Sequence, residues 1–163
     1  MPSFDIVNKL DLQLLDNAIN TAKKELITRY DLKDSECEID LDKKSKMIKL
    51  QATQDMALQS MVDIILGKMS KQQLDVRSLD LSKESRPSGK LMLLDIPVKE
   101  GLDKEVAKKV VNYIKTTGLK VQASIMDDQV RVTGKKIDDL QETIGKLRTQ
   151  DFELPLQFDN MRS

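Results

Sequence analysis

The predicted order of secondary structure elements is the feature that most restricts the fold of this chain. Alternating apolar residues predict strands, and apolar residues spaced three or four apart predict helices. On this basis residues 3–81 give the order β-α-β-β-α-β, and residues 91–161 give the same order again. Each unit is therefore predicted to form a four-stranded antiparallel sheet with both helices on one face, a ferredoxin-like (RNP-like) α+β sandwich.

Similar short segments in the two halves of the sequence support this repeat. Ile48-Lys49-Leu50 corresponds to Val130-Arg131-Val132 at the same offset that relates Leu58-Gln59 to Leu140-Gln141. The polar segment 83–89 contains Pro and Gly and has no period, which is typical of a linker. We therefore predict a first unit at 1–82, a linker at 83–89 and a second unit at 90–163. Whether the terminal strands are exchanged between the tandem units stays open.

Some local predictions concern the first unit. Asp11 and Thr53 precede apolar stripes of helical period and are predicted N-caps of the two helices. Residues 75–81 are interpreted as the last strand of this unit. Cys37 shares the parity of the inward-facing Ile39 and is predicted to be a small core residue rather than a nucleophile.

The segment 120–136 carries the surface that is best suited to an anion. It is predicted to form a hairpin with Asp127-Asp128 in the turn, followed by a helix. No acidic residue shares the outward parity of Arg131 on either hairpin strand, so we expect this arginine to be unpaired and available to a phosphate. The outward residues are polar and basic: Lys120, Gln122, Ser124, Arg131 and Thr133.

The helix that follows this hairpin begins near two further lysines. Gly134-Lys135 resembles the end of a phosphate loop but lacks the upstream glycine, so a P-loop is not predicted. The free amides of a helix start, next to Lys135 and Lys136, are a possible anion site. The equivalent face of the first unit is acidic around Lys49, and we expect no binding there. As an alternative, the two sheet faces meet each other or are simply solvated.

Composition excludes several classes of function. Lys+Arg and Asp+Glu are 27 each, which argues against non-specific coating of nucleic acid. The absence of histidine excludes imidazole-based catalysis and His-ligated zinc. Asp40 and Asp42 have no evident third partner, so neither a metal nor a cofactor is predicted. A single cysteine, no apolar run near the roughly 20 residues of a membrane span, and no secretion signal indicate a cytoplasmic protein with no membrane partner.

Several short segments of the sequence are similar to those of a known bacterial family. The sequence resembles the YajQ family along its whole length, and the opening and the QVRVTGK segment are the most specific parts. The segments that carry the resemblance are Met1 to Val7, Ala107-Lys108-Lys109, Leu119 to Ala123, Gln129 to Lys135, Asp139-Leu140-Gln141, and Gln157-Phe158 with Asn160 and Arg162.

The resemblance implies a tandem of ferredoxin-type domains that binds nucleotides without catalysis. Some members act as cyclic di-GMP receptors that influence transcription, which implies a protein partner such as a transcription regulator. The alternatives are an RNA-binding tandem protein and a protein–protein adaptor. The resemblance adds Arg29, Tyr30 and Arg162 to the candidate site, because they lie in segments that resemble the family.

The sequence departs from the family pattern at Leu32, Lys33 and Asp34, and again at Leu156, Asp159 and Met161. Together with third strands that hold no aromatic residue, these departures argue against base stacking on the sheets. The predicted nucleotide site therefore depends on charge and hydrogen bonding.

Overall fold

The chain folds into two compact units. The structure is a computed structural model that describes every residue from Met1 to Ser163. The continuous unit comprises Leu10–Lys99, and the split unit comprises Met1–Lys9 together with Glu100–Ser163. The predicted boundaries at residues 82 and 90 are corrected accordingly.

Twelve regular elements make up the two units. The helices are α1 (Leu12–Thr28), α2 (Asp55–Lys71), α3 (Lys104–Thr116) and α4 (Ile137–Arg148). The strands are β1 (Ser3–Val7), β2 (Glu38–Asp42), β3 (Met47–Ala52), β4 (Arg86–Ser88), β5 (Leu91–Pro97), β6 (Val121–Met126), β7 (Gln129–Gly134) and β8 (Gln157–Arg162). None of the four helices combines the length and the apolar composition that a membrane span requires.

The split unit has a ferredoxin-like arrangement once residues 10–99 are set aside. Its chain order is β1-α3-β6-β7-α4-β8, and its antiparallel sheet has the order β6-β7-β1-β8. Alternate residues of the two central strands enter the core, as a period of two requires. Phe4, Ile6, Val130 and Val132 are buried there against the apolar faces of α3 and α4.

The continuous unit has an equivalent sheet with the order β2-β3-β5-β4. Here β5 occupies the central position that β1 occupies in the split unit. The prediction of two ferredoxin-like sandwiches is confirmed. The first strands are exchanged relative to the simple tandem, which is the alternative that the sequence left open.

The predicted strand at 75–81 is wrong. Val76–Ser78 forms a short 3₁₀ turn, and only Leu79 makes an isolated bridge, to Val98. The side chain of Asp75 accepts a hydrogen bond from the Arg77 amide and so stabilises a turn in place of a strand. The fourth strand of this sheet comes from the predicted linker, where Arg86–Ser88 pairs with β5.

Of the two predicted N-caps, Asp11 is confirmed and Thr53 is wrong. Asp11 caps α1, since its carboxylate accepts hydrogen bonds from the amides of Gln13 and Leu14 at 2.9 and 3.2 Å. Thr53 does not cap α2. Its amide donates to the carbonyl of Ser35 at 2.8 Å, Gln54 is the N-cap residue, and the helix begins at Asp55.

Cys37 lies directly before β2 and packs against the core of the continuous unit, but it is only partly buried. Burial, followed by the nearby negative charge of Asp31, raises the pKa of its thiol. A raised pKa leaves less thiolate at neutral pH, so the side chain is a poor nucleophile.

Candidate functional site

A groove in the split unit lies where β6 begins, β7 ends and α4 starts. Its volume is about 440 Å³, within the range of roughly 300 to 1,000 Å³ that is usual for small-molecule sites. Five predicted site residues contribute to its walls, and four other residues complete it. The lining residues are Met1, Lys120, Val121, Gln122, Thr133, Gly134, Lys135, Lys136 and Asp139.

The strand register explains why the polar walls meet. Gln122 lies directly opposite Thr133, and Val121 lies opposite Gly134. A Cβ atom on Gly134 would lie 3.1 Å from Cγ1 of Val121 and 3.4 Å from Cδ2 of Leu140. Glycine therefore lets the chain pass closely from β7 into α4, which brings the first residues of the helix beside the hairpin.

The start of α4 offers donors to the groove. Lys136 is the N-cap residue, and no side chain accepts hydrogen bonds from the first turn of the helix. The free amides and the helix dipole favour an anion at this end. Lys120, Lys135 and Lys136 are exposed beside it. The acidic residues of the first turn, Asp138 and Asp139, act in the opposite direction and reduce the positive potential.

Arg131 lies outside this groove and is not free. It faces outward from β7 as expected, but its Nε donates to Oδ1 of Asp5 at 2.9 Å, and an Nη2 contact to Oδ2 measures 3.5 Å. Asp5 is its direct partner on β1 in the register. The expectation of an unpaired arginine is wrong because β1, which supplies this carboxylate, belongs to the same sheet as the hairpin.

Asp5 is the centre of a polar cluster on the outward face of this sheet. Its side chain is only 7% exposed. Oδ2 also accepts a hydrogen bond from the side-chain amide of Asn160 at 3.0 Å. The hydrogen bond from Arg131 is the main reason that the pKa of Asp5 is lowered, and the same contact raises the pKa of Arg131. Arg131 is thus already paired with a carboxylate within the fold.

Comparison with known proteins agrees with the fold. Residues 2–162 match the model of a family described as nucleotide-binding protein YajQ-like. The chain belongs to the YajQ-like family. A Cytophaga hutchinsonii relative named "Nucleotide-binding protein" is 53% identical over 162 residues, which cover 99% of this chain and all of the relative. Relatives from Oleidesulfovibrio alaskensis and Pseudomonas fluorescens are 48% and 49% identical, and each alignment covers at least 99% of both chains.

The residues that resemblance to the YajQ-like family contributed do not lie in the groove. Arg162 is on β8, where its Nε lies 3.4 Å from Oδ1 of Asn160 and its charge contributes to the lowered pKa of Asp5. Arg29 and Tyr30 belong to the continuous unit. Arg29 is bound to Asp31 by two hydrogen bonds of 2.8 Å, while Tyr30 is exposed.

Four groove residues of this YajQ-like protein were not among the predicted site residues: Met1, Val121, Gly134 and Asp139. Gly134 could have been recognised, because a glycine between a strand and a helix often marks a close approach of two backbones. Asp139 lies three residues beyond the N-cap Lys136, a position that turns toward the helix start. Met1 had no usable signal, since its position depends on the long-range pairing of β1 with β7.

Proposed function

We propose that this protein is a cytoplasmic, non-enzymatic nucleotide-binding protein that responds to a cyclic dinucleotide such as cyclic di-GMP. The observation that supports it most strongly is the groove itself, where three lysines and two hydrogen-bonding side chains of the hairpin converge. Relatives with about half of their residues identical carry the name nucleotide-binding protein.

The lysines and the helix start suit phosphate. Lys120 lies directly before β6, while Lys135 and Lys136 lie beside the uncapped amides of α4. A charge-assisted hydrogen bond contributes roughly 1.5 to 3 kcal/mol. Because 1.4 kcal/mol corresponds to a tenfold change in affinity, the loss of one such contact should weaken phosphate binding by about tenfold or more.

The remaining side chains suit the sugar and the base. Gln122 offers both an amide donor and a carbonyl acceptor, and Thr133 opposite it offers a hydroxyl. Asp139 provides an acceptor at the helix side of the groove. A ligand that carries both phosphate and hydrogen-bonding groups matches this arrangement better than an inorganic anion.

The chemistry of the lining side chains supports binding without turnover. Asp139 is the one carboxylate that lines the groove, and a single carboxylate does not provide the acid–base pair of a hydrolase. The sheet also offers no stacking surface for RNA, since Phe4 and Phe158 pack edge-to-face with each other, 6.0 Å apart, on the core side.

Calorimetric titration of the full chain with cyclic di-GMP, GTP, ATP and short RNAs of increasing length tests the proposal. We expect saturable binding of a nucleotide, tightest for cyclic di-GMP, with no release of phosphate from GTP or ATP. Affinity that appears only with RNA, grows with its length and falls steeply with salt would identify an RNA-binding protein in its place. Capture of a nuclease-insensitive protein partner without any nucleotide binding would favour the adaptor alternative.

A further inference from the structure

The continuous unit has an open sheet edge at β2 that carries neither a proline nor a bulge. Strand β2 pairs only with β3, in a regular register of five residues without a bulge. The opposite edge, β4, has three residues and includes Pro87, which cannot donate a ladder hydrogen bond. Native proteins usually blunt an open edge by such means, because its unpaired amides and carbonyls accept another strand. Strand β2 has neither proline nor lysine.

An apolar groove runs along this edge between β2 and α1. Its volume is about 450 Å³. Leu32 and Ile39 are buried at its base, and Ile27 stands at the rim with 85% of its surface exposed. Lys23 and Lys33 line it together with Glu36 and Glu38. An extended segment added to β2 would direct every second side chain toward this groove, where Ile27, Leu32 and Ile39 suit an apolar residue.

The other face of β2 has the opposite preference. Glu38 and Asp40 are exposed there, and neither forms an ion pair. Lys49 lies opposite Asp40 in the register, but it also lies opposite Asp95 on the next strand. The alternate side chains of an added strand would lie directly beside these two carboxylates, where opposite charges stabilise a cross-strand pair. The same carboxylates repel nucleic acid.

We propose that the β2 edge binds an extended peptide segment of another protein by strand addition, and that this segment alternates Lys or Arg with aliphatic residues. The cationic side chains pair with Glu38 and Asp40, and the aliphatic ones enter the groove beside Ile39. A second copy of this chain is a poorer occupant. Among the other edge strands of the chain, β6 carries no cation, β8 carries Asp159 as well as Arg162, and β4 has only three residues with Pro87 at its centre. The proposal does not depend on nucleotide binding.

The test uses a fluorescein-labelled seven-residue peptide of alternating lysine and valine, titrated against the full chain by fluorescence anisotropy. We expect saturable binding, together with slower hydrogen exchange of the β2 amides. A peptide of alternating glutamate and valine should bind at least tenfold more weakly. The lysine–valine peptide with alternate backbone amides methylated should lose at least tenfold, because methylation removes the donors that strand addition needs.

The matched variants are Glu38→Lys with Asp40→Lys, and Glu142→Lys as a control on the exposed face of α4. The double variant should weaken binding at least tenfold, and the control should change it less than twofold. Equal effects of both variants, or full binding of the methylated peptide, would overturn the proposal, since either points to charge attraction alone. Self-association that the double variant abolishes would also overturn it, because the occupant would then be a second copy. The affinity of the unchanged chain for the methylated peptide tests strand addition even if the double variant fails to fold.

Discussion

Among single residues, Asp5 has the environment that differs most from an ordinary surface carboxylate. It is buried on the outward face of a sheet, and it accepts hydrogen bonds from Arg131 and Asn160. A buried carboxylate that loses such partners keeps the cost of its own desolvation. Asp5 and Arg131 therefore act as a structural pair that connects β1 to β7. Arg131→Ala should lower stability more than Lys49→Ala, and its effect on nucleotide binding should be small.

Asp5→Asn is the sharper test of this pair. The folded-state pKa of Asp5 is lowered, chiefly by Arg131, whereas the unfolded value is about 3.9. The ionised carboxylate therefore stabilises the fold above about pH 4, and this contribution is lost as pH falls through the lower folded-state pKa. At pH 6 the substitution should lower the free energy of unfolding by about 1 to 3 kcal/mol.

Urea unfolding of both proteins at several pH values between 3 and 6 measures this difference. We expect the gap in unfolding free energy to shrink as the pH is lowered. Parallel pH profiles for Asp5→Asn and the parent would contradict the assignment of Asp5 as an ionised partner of Arg131.

Among the elements, β1 has a structural role far larger than its five residues. It is a central strand of the split unit, between β7 and β8. The residue that follows it, Asn8, is hydrogen-bonded to the start of the second segment of this unit. The carbonyl of Asn8 accepts a hydrogen bond from the amide of Gly101 at 2.7 Å, and the next amide, of Leu102, donates to the carbonyl of Asp128 at 2.8 Å. Gly101 and Leu102 together thus connect the residue after β1 to the hairpin turn.

Gly101→Ala should destabilise the split unit. Gly101 has a φ of +79°, and an added Cβ would lie 2.8 Å from Oδ2 and 2.9 Å from Cβ of Asp128. We expect a loss of at least about 1 kcal/mol in the free energy of unfolding, because positive φ and a close contact act together. The control is Gly145→Ala on α4, where nothing lies within 4 Å. That change should stabilise by about 0.5 to 1 kcal/mol. Equal effects in thermal or urea unfolding would contradict this account.

The elements also show what the sequence could predict. The hairpin of β6 and β7 was predicted with its turn and its inward face, because a strict period of two leaves one solution. Residues 75–81 could not be assigned correctly in this way. Their apolar residues Val76 and Leu79 are three apart, and Asp75 forms a local turn whose hydrogen bonds compete with a strand.

At the scale of the whole molecule, one unit is inserted into the sequence of the other. Residues 10–99 separate β1 from the rest of its own sheet. Both β1 and β5 are apolar strands that suit the same central position, so the pattern within each strand does not determine which sheet it joins. This is why the fold of each unit could be predicted but the boundaries could not. For the same reason the sequence did not show that Asp5 on β1 would lie opposite Arg131.

The insertion predicts how the chain can be divided. Residues 10–99 should melt cooperatively when expressed alone, because they contain a complete sheet and core. Residues 100–163 alone should not, since their sheet lacks β1. A chain in which a short Gly-Ser linker replaces residues 10–99 should regain a cooperative melt. Circular dichroism of the three fragments measures this, and a cooperative melt of residues 100–163 alone would contradict the strand exchange.

The central claim about the whole molecule is that nucleotide phosphate binds in the groove between the β6–β7 hairpin and α4. The most direct measurement is the affinity for cyclic di-GMP, by calorimetry, of Lys135→Ala with Lys136→Ala. The control, Lys108→Ala with Lys109→Ala, removes two adjacent exposed lysines from α3 in the same unit. We predict that the groove variant binds at least tenfold more weakly, which corresponds to about 1.4 kcal/mol, and that the control binds within twofold of the parent. Equal affinities of the two variants would contradict the claim.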